Sequence, residues 1–416
     1  MENLERKSLS IAKPSTSALV RLCPIILQKM DVEKKDNDNS NEDIILSTPF
    51  LLEWESNVDH KAPNILQRII SLFKNARLGS DLTTFQLPTH FNIPKSQLQF
   101  YGESVYGVNR DMLIECAKDN SPLERMTRVV AWSISTVRPL PFGAVPFNPI
   151  LGETHHVSRG VLNVFLEQVS HHPPVCALHA TDENGKVEVI WCQHYLPKFH
   201  GATVETEVFS KRRVKLIEKG ENYVMNSPNV LVRLFPVPSI DWIGNVKIKC
   251  EESGLEAELC YRGNTLFSLG GSKRSIRGKI FRSSSSTILY EVSGRWDRTV
   301  TIKDVRSGKV KVIYDANEVI CGLHAPTVKN AEGVRQSESA RVWAKVSKGI
   351  ISRDWEKARE AKDAVEEEQR ELARLRKSMA ENWSPQHFSV SYSKVDGWDC
   401  SPKEKEVPPA PIVYTI

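Results

Sequence analysis

The sequence predicts a mainly β protein: a large antiparallel sheet that curls or closes on itself, with helices at both ends. Three observations carry this. From Val161 to about Ala316, short apolar and β-branched runs recur between turn signals. No segment between them is long enough for a helical crossover, so neighbouring strands must pair antiparallel. Helical periodicity is confined to the residues before and after this stretch. A closed sheet of this size has an interior wide enough for a ligand. Spacing alone leaves barrel and sandwich both open.

The 416 residues suffice for two average domains or one large β-rich one. Hydrophobic residues make up 40% and charged ones 26%, as in an ordinary soluble globular chain. No apolar run reaches the roughly 18 to 20 residues that span a bilayer; the nearest, Leu19 to Leu27, contains Arg21. Met1 to Lys13 is charged and polar, without a signal-peptide core, which makes the cytosol the expected compartment. The eight cysteines show no Cys-x-x-Cys spacing and read as free buried thiols. A net charge of +5 is too mild for a nucleic-acid partner and suits weak attraction to an anionic membrane surface.

Residues 1–60 read as a flexible segment, with Asp31 to Asp43 an acidic linker. In Ile65 to Lys74, Ile65, Leu66, Ile69, Ile70 and Phe73 share one helical face, while Gln67, Arg68, Ser71 and Lys74 take the other. Such a helix lies on a membrane, closes over a pocket, or packs on its own core. Leu98 to Arg138 reads as helical, with Pro122 at a helix start and Val129, Val130 and Ile134 on a buried stripe. Pro139 and Pro141 end it, and a turn-rich run from Val145 to Thr154 leads into the strands. Strands are expected at Val161–Val169, Val187–Tyr195, Ala202–Phe209, Val230–Phe235, Val246–Cys250, Leu255–Tyr261, Ser275–Phe281, Ile288–Val292 and Lys309–Tyr314. Asn184-Gly185 signals a type I′ hairpin and Ser307-Gly308 a weaker one. Arg353 to about Met379 forms the last long helix, and Val407 to Pro411 an extended tail.

The chemistry concentrates in Glu167-Gln168-Val169-Ser170-His171-His172-Pro173-Pro174. Pro173 and Pro174 have no N–H, so the β-ladder stops here or sits on an edge. Adjacent side chains of a strand point to opposite faces, so His171 and His172 address one ligand only if the Pro-Pro step bends the chain. On the last helix, Lys362, Glu366 and Arg370 stand four residues apart and share a face. Glu366 can brace both cations, and the pair can grip a phosphate or form an ordinary solvated face. His155-His156 and His171-His172 have no carboxylate or Cys at a ligand spacing, so no metal site is expected. No Gly-x-Ser-x-Gly elbow, P-loop or Gly-x-Gly-x-x-Gly is present, so no enzyme is expected. Lys273 to Lys279 reads as the basic outer face of one strand rather than an RNA site.

The octapeptide Glu167–Pro174 resembles the fingerprint of the oxysterol-binding protein-related family of lipid-transfer proteins, and closest to its plant members in wording. Val145-Pro146-Phe147-Asn148-Pro149-Ile150-Leu151-Gly152-Glu153-Thr154, Gly294-Arg295-Trp296-Asp297, Gly79 to Pro88 and the Lys362/Glu366/Arg370 helix resemble further family motifs. The resemblance covers roughly Leu66 to Asp399. It implies a nearly closed antiparallel barrel around a lipid tunnel, the lipid-binding domain spanning residues 61–400. Within it would lie a lid (61–90, with Ile69, Ile70 and Phe73), helices (98–140), the barrel (145–320) and C-terminal helices (340–380), followed by a tail (401–416). No pleckstrin-homology sequence, ankyrin repeats or membrane anchor is seen, as in the family's short form.

The resemblance also implies function. The headgroup of phosphatidylinositol 4-phosphate would be held by His171, His172, Lys362, Glu366 and Arg370, with Asn148 at the rim. The cargo would be a sterol or phospholipid, with no other cofactor. The protein would be cytosolic and peripheral on intracellular membranes, with an endoplasmic-reticulum-membrane receptor protein as a further partner. The implied activity is transfer of one lipid, or exchange of it for phosphatidylinositol 4-phosphate. A membrane-contact adaptor or lipid sensor is the second reading. One departure stands out: Val145 occupies the position where the family carries a phosphate-contacting Lys. Losing a charge-assisted contact costs about 1.5 to 3 kcal/mol, and Arg138 or a neighbouring Lys is the candidate replacement.

Overall fold

The structure, a computed structural model, describes residues 44–49, 71, 77–83, 87–107, 111–235, 237–263, 274–395 and 397–415. The proposed lid residues Ile69, Ile70 and Phe73 lie outside them, as does the acidic linker. The helical region after Leu98 is split by its own caps. Strand β1 (Asn92–Ser96) ends at Ser96, which starts α1 (Gln97–Ser104) with a capping box shared with Gln99. Asp111 caps α2 (Met112–Lys118), and Pro122 opens α3 (Pro122–Ser135) at a position where its missing N–H is harmless. Val129, Val130 and Ile134 are buried, as the stripe predicts. Strand β2 (Val145–Phe147) then pairs in parallel with β1.

A meander follows: β3 (Thr154–Arg159), β4 (Leu162–His171), β5 (Pro174–Asp182), β6 (Val187–Phe199), β7 (Thr203–Leu216), β8 (Glu221–Met225), β9 (Asn229–Arg233), β10 (Ser239–Cys250), β11 (Leu255–Arg262), β12 (Ser275–Arg282), β13 (Ile288–Arg295), β14 (Thr299–Asp304) and β15 (Val310–Asp315). The remaining elements are α4 (Ala316–Ile320), β16 (Thr327–Val328), α5 (Ser339–Val342), α6 (Ala344–Ile351), α7 (Trp355–Ser378), β17 (Phe388–Ser393), β18 (Gly397–Pro402) and β19 (Ile412–Val413). Fifteen strands join one sheet, in which β8 and β9 share the lane between β7 and β10. Beyond β3 the sheet is extended by β19, paired in parallel, and then by β16. Its two ends, β15 and β16, are not hydrogen-bonded to each other among the described residues.

Core membership decides between barrel and sandwich. One cluster takes residues from every strand between β3 and β15, among them Val157, Leu178, Val214, Ile248, Ile280 and Ile302. Leu98, Trp132 and Ile134 from α1 and α3 belong to the same cluster, so the sheet curls around a shared core with the helices against it. A second cluster lies on the other face of β4 to β6, where Phe165, Val175, Ile190 and Cys192 meet Phe388, Cys400 and Val407 of the C-terminal region.

Two expectations need correction, and a third is made more specific. Asn184-Gly185 does mark a hairpin, but only Gly185 has a positive φ, at 65°. A type I′ turn needs two such residues; here Asp182 instead accepts hydrogen bonds from the N–H groups of Asn184, Lys186 and Val187. Of the two alternatives at Pro173-Pro174, the strand stops: β4 ends at His171, Pro174 is the first residue of β5, and β4 lies between β3 and β5 rather than on an edge. Residues after 400 are extended but docked, with Val407, Ala410, Ile412 and Tyr414 buried. The described cysteines are free, though Cys260 and Cys321 are only half-buried.

Candidate functional site

The tip of the β4–β5 hairpin places the two imidazoles side by side, ring centroids 4.8 Å apart and tilted by 67°. The His172–Pro173 peptide is cis. His171 Nδ1 donates to the carbonyl of Pro149 at 3.1 Å, which leaves Nε2 for a ligand. Burial, and then the neighbouring His172, push the His171 pKa below its ordinary value; the Pro149 carbonyl works the other way. His172 is exposed.

Glu167 and Gln168 of the same octapeptide do structural work. The Glu167 carboxylate is buried and accepts from the backbone N–H of Gln386 (2.7 Å) and His387 (2.9 Å), tying the C-terminal segment to β4. Burial raises its pKa against the effect of those two N–H groups. Gln168 exchanges backbone hydrogen bonds with the turn at Gly152 and Glu153.

That turn is the other half of the rim. Asn148 is exposed and Pro149 carries the carbonyl that holds His171. Gly152 has φ 80° and lies against the Trp383 ring, where a Cβ would come within 3.3 Å. Glu153 is fully buried and accepts from Ser339 Oγ (2.6 Å), Trp343 Nε1 (2.8 Å), Ile150 N (3.0 Å) and Ser96 Oγ. It thereby joins the turn to β1 and to the start of the C-terminal helices.

Asp354 caps α7, and the helix bears the expected triad. Glu366 pairs with Lys362 Nζ at 3.6 Å and with Arg370 Nη2 at 3.2 Å, so it does brace both cations. Lys362 Nζ also donates to the Leu87 carbonyl at 2.5 Å, and burial lowers its pKa. Arg370 is exposed and shared with Glu367. A groove of about 610 Å³ runs between Leu87–His90 and the first turns of α7, lined by Lys362 and Glu366 and also by His90 and Arg359. Neither His90 nor Arg359 stood out in the sequence.

The two halves share a support. Phe147 and Ile150, on either side of Asn148, pack with Trp343, Ala358, Ala361 and Val365 of α6, α7 and the residue before them. The turn from Val145 to Ile150 therefore touches His171 on one side and α7 on the other. No hydrogen bond or ion pair among the described residues joins the His pair directly to Lys362 or Arg370.

Two replacements for the missing Lys are ruled out by position. Arg138 is buried, donates to the Tyr106 carbonyl at 2.5 Å, and has its pKa lowered by desolvation. Lys95, on the strand beside Val145, is buried in a salt bridge with Glu103. His155 and His156 are also engaged elsewhere: His155 Nδ1 donates to Glu338 (2.6 Å) and His156 Nε2 to the Pro408 carbonyl (2.9 Å).

The interior holds a polar group that periodicity missed. Arg212 is stacked 3.5 Å over Trp191 and donates to Thr136 Oγ1 at 2.8 Å; burial pushes its pKa down to about 9. Trp191 Nε1 donates to Gln193 at 2.8 Å, and Tyr195 bonds both Gln193 and Tyr101. Gln193 on the inward alternation of β6, after Val189 and Trp191, is the signal that was available.

A model of the oxysterol-binding protein family matches residues 68–350. The chain is 52% identical over 375 residues to oxysterol-binding protein-related protein 4B of Arabidopsis thaliana, covering 89% of this chain and 98% of that one. It is 49% identical to protein 4A of the same plant, covering 91% and 99%. The fold is that of the Osh1 ORD domain, solved with cholesterol, at a TM-score of 0.68 and 18% identity over 94% of this chain and 96% of that one. The Osh3 ORD of Saccharomyces cerevisiae, solved with PI(4)P, matches at 0.61 and 19% identity over 89% and 96%.

Proposed function

The chain belongs to the oxysterol-binding protein family, and on that premise we propose that it is a lipid carrier. In this reading it takes a sterol or phospholipid into the curled sheet and moves it between intracellular membranes, as a binding and transfer protein rather than an enzyme. One observation carries the reading: the Val145–Ile150 turn is held both by His171 and by the helix that presents Lys362. Both sets of phosphate-compatible donors thus belong to elements that touch one short turn, which supports the reading. A phosphoinositide headgroup there would take Lys362 and Arg370 as cations, with His171 and His172 donating once the dianion favours their protonated forms. Asn148 would add an amide. Inside, Gln193, Tyr195 and Arg212 supply hydrogen-bonding groups for a sterol hydroxyl.

Val145 favours a narrower version in which sterol moves and phosphoinositide binds weakly. With Arg138 and Lys95 both buried, neither supplies the missing charge. The test is lipid retention. Purified chain is incubated with liposomes holding sterol or phosphatidylinositol 4-phosphate, recovered, and analysed by native mass spectrometry. One lipid per chain, with the two competing, supports exchange; sterol alone supports the narrower version. Recovery without either lipid would sink the carrier reading.

A further inference from the structure

A cavity of about 690 Å³ lies outside the curled sheet, between the outer face of β3 to β5 and the C-terminal segment. His156, Phe165 and His179 project into it from the face opposite Val157, Val164 and Leu178, so it is separate from the interior and from the rim. The segment is fastened over it by Val407 N donating to Thr181 Oγ1 (2.9 Å) and Ala410 N to Ser158 Oγ (2.7 Å). The headgroup chemistry does not use this space.

Its charges are arranged unevenly. The Arg335 guanidinium lies 5.4 Å from the Phe165 ring centroid and makes no ion pair among the described residues. Its Nη1 donates instead to a neutral imidazole nitrogen, His387 Nε2, at 3.4 Å. Of the cavity's imidazoles, His179 is paired with Glu188, and Lys403 beside His387 donates to the Pro385 carbonyl. His387 and His156 both press on the Phe165 ring, at 4.5 and 5.4 Å. Of the cavity's carboxylates, Asp182 is occupied by three backbone N–H groups, while Glu183, Glu404 and Glu406 are exposed at the lip. Around the Phe165 ring stand a guanidinium and two imidazoles.

We propose that this cavity is a second ligand site, for a small molecule bearing a phosphate or similar oxyanion, gripped by Arg335 and His387 with its apolar part against Phe165 and Phe388. Arg335 forms the bidentate contact, because its fork matches the geometry of such oxygens and it makes no ion pair among the described residues. His387 exchanges a weak acceptor role toward Arg335 for a donor role toward the ligand. The segment 402–409 forms the outer wall, so occupancy and docking of the C-terminus reinforce each other.

Inorganic phosphate titrated into the full chain at fixed ionic strength tests this, followed by the ring-proton resonances of His156 and His387. Saturable shifts are expected, with affinity weakened about tenfold or more in Arg335→Gln and unchanged in His171→Ala/His172→Ala. Arg335 is exposed, and a thermal melt of Arg335→Gln verifies its fold. Vesicles of phosphatidylcholine with and without phosphoinositide form the second arm. Shifts reproduced by the anionic vesicles identify the source as a lipid headgroup; shifts with phosphate alone identify a free phosphorylated compound. Both support the site. Phosphate binding equal in Arg335→Gln and the unsubstituted chain, or no shift of either ring, overturns it.

Discussion

Strands β4 to β6 bury both of their faces, whereas β10 to β15 turn one face to water. On the first side, Phe165, Val175, Ile190 and Cys192 meet the C-terminal hairpin of β17 and β18, so the wall is double. On the second, the outer face is a ladder of alternating charge: Lys247 and Lys279 flank Glu258, and Lys303 faces Glu291. The ladder neutralises itself, and Lys279 of the basic run at 273–279 is one of its rungs. The difference shows which wall carries a second layer. The His171–His172 tip grows out of the double-walled side, and its strand is the one that Glu167 ties to the C-terminal segment.

The sharpest way to break the contrast is to unhook the outer layer. Glu167→Ala leaves the part-buried N–H groups of residues 386 and 387 without their acceptor, at about 1 to 3 kcal/mol. Urea melts should show that loss, and hydrogen exchange should rise in 385–410 before it rises in 239–315. Acid should act on the same side. Burial holds the His156 pKa down to about 4 from 6.5, so the unfolded chain binds the proton first as pH falls. Stability present above pH 6.5 is therefore lost between about 6.5 and 4, by about 3 kcal/mol. His171 and His387 are lowered too and act in the same sense, while Glu167, raised by burial, opposes them. Strands β10 to β15 contain no histidine, so melts at pH 7 and 5 should differ for the chain but exchange in that wall should change last. His156→Gln should flatten the dependence.

Smaller effects separate ligand contacts from architecture. Lys362→Ala should weaken phosphoinositide binding by about ten- to a hundredfold while moving the melting point little, since its partners are one carbonyl and Glu366. Calorimetry with a short-chain phosphoinositide reads the first, a thermal scan the second. Least of all, Glu258→Ala removes the acceptor of two surface lysines and should cost less than about 1 kcal/mol, shrinking further with salt.

The same contrast governs what was legible in the sequence. In β11 and in β10 from Val246 on, alternate residues are buried, so their period of two reads directly. Strand β5 is buried on both faces and opens with a proline, which erased the alternation and hid it. Strands β8 and β14, five and six residues long, also went unread. Residues after 400 looked like a loose tail because their partners, Thr181 and Ser158, lie over two hundred positions away. At the site, His171, His172, Lys362, Glu366 and Arg370 were visible as local motifs. Glu153, Glu167, His90 and the Gln193–Arg212 group were not. Their roles come from contacts that only the curled sheet creates.

The central claim is that the His hairpin and the Lys362 helix together hold one phosphoinositide headgroup. Transfer of fluorescent sterol and of phosphatidylinositol 4-phosphate between two liposome populations, followed in parallel, tests it most directly. His171→Ala/His172→Ala and Lys362→Ala/Arg370→Ala should each abolish phosphoinositide transfer while one-way sterol transfer persists. Phosphoinositide transfer surviving either pair, or sterol and phosphoinositide movement falling together in both, would contradict the account.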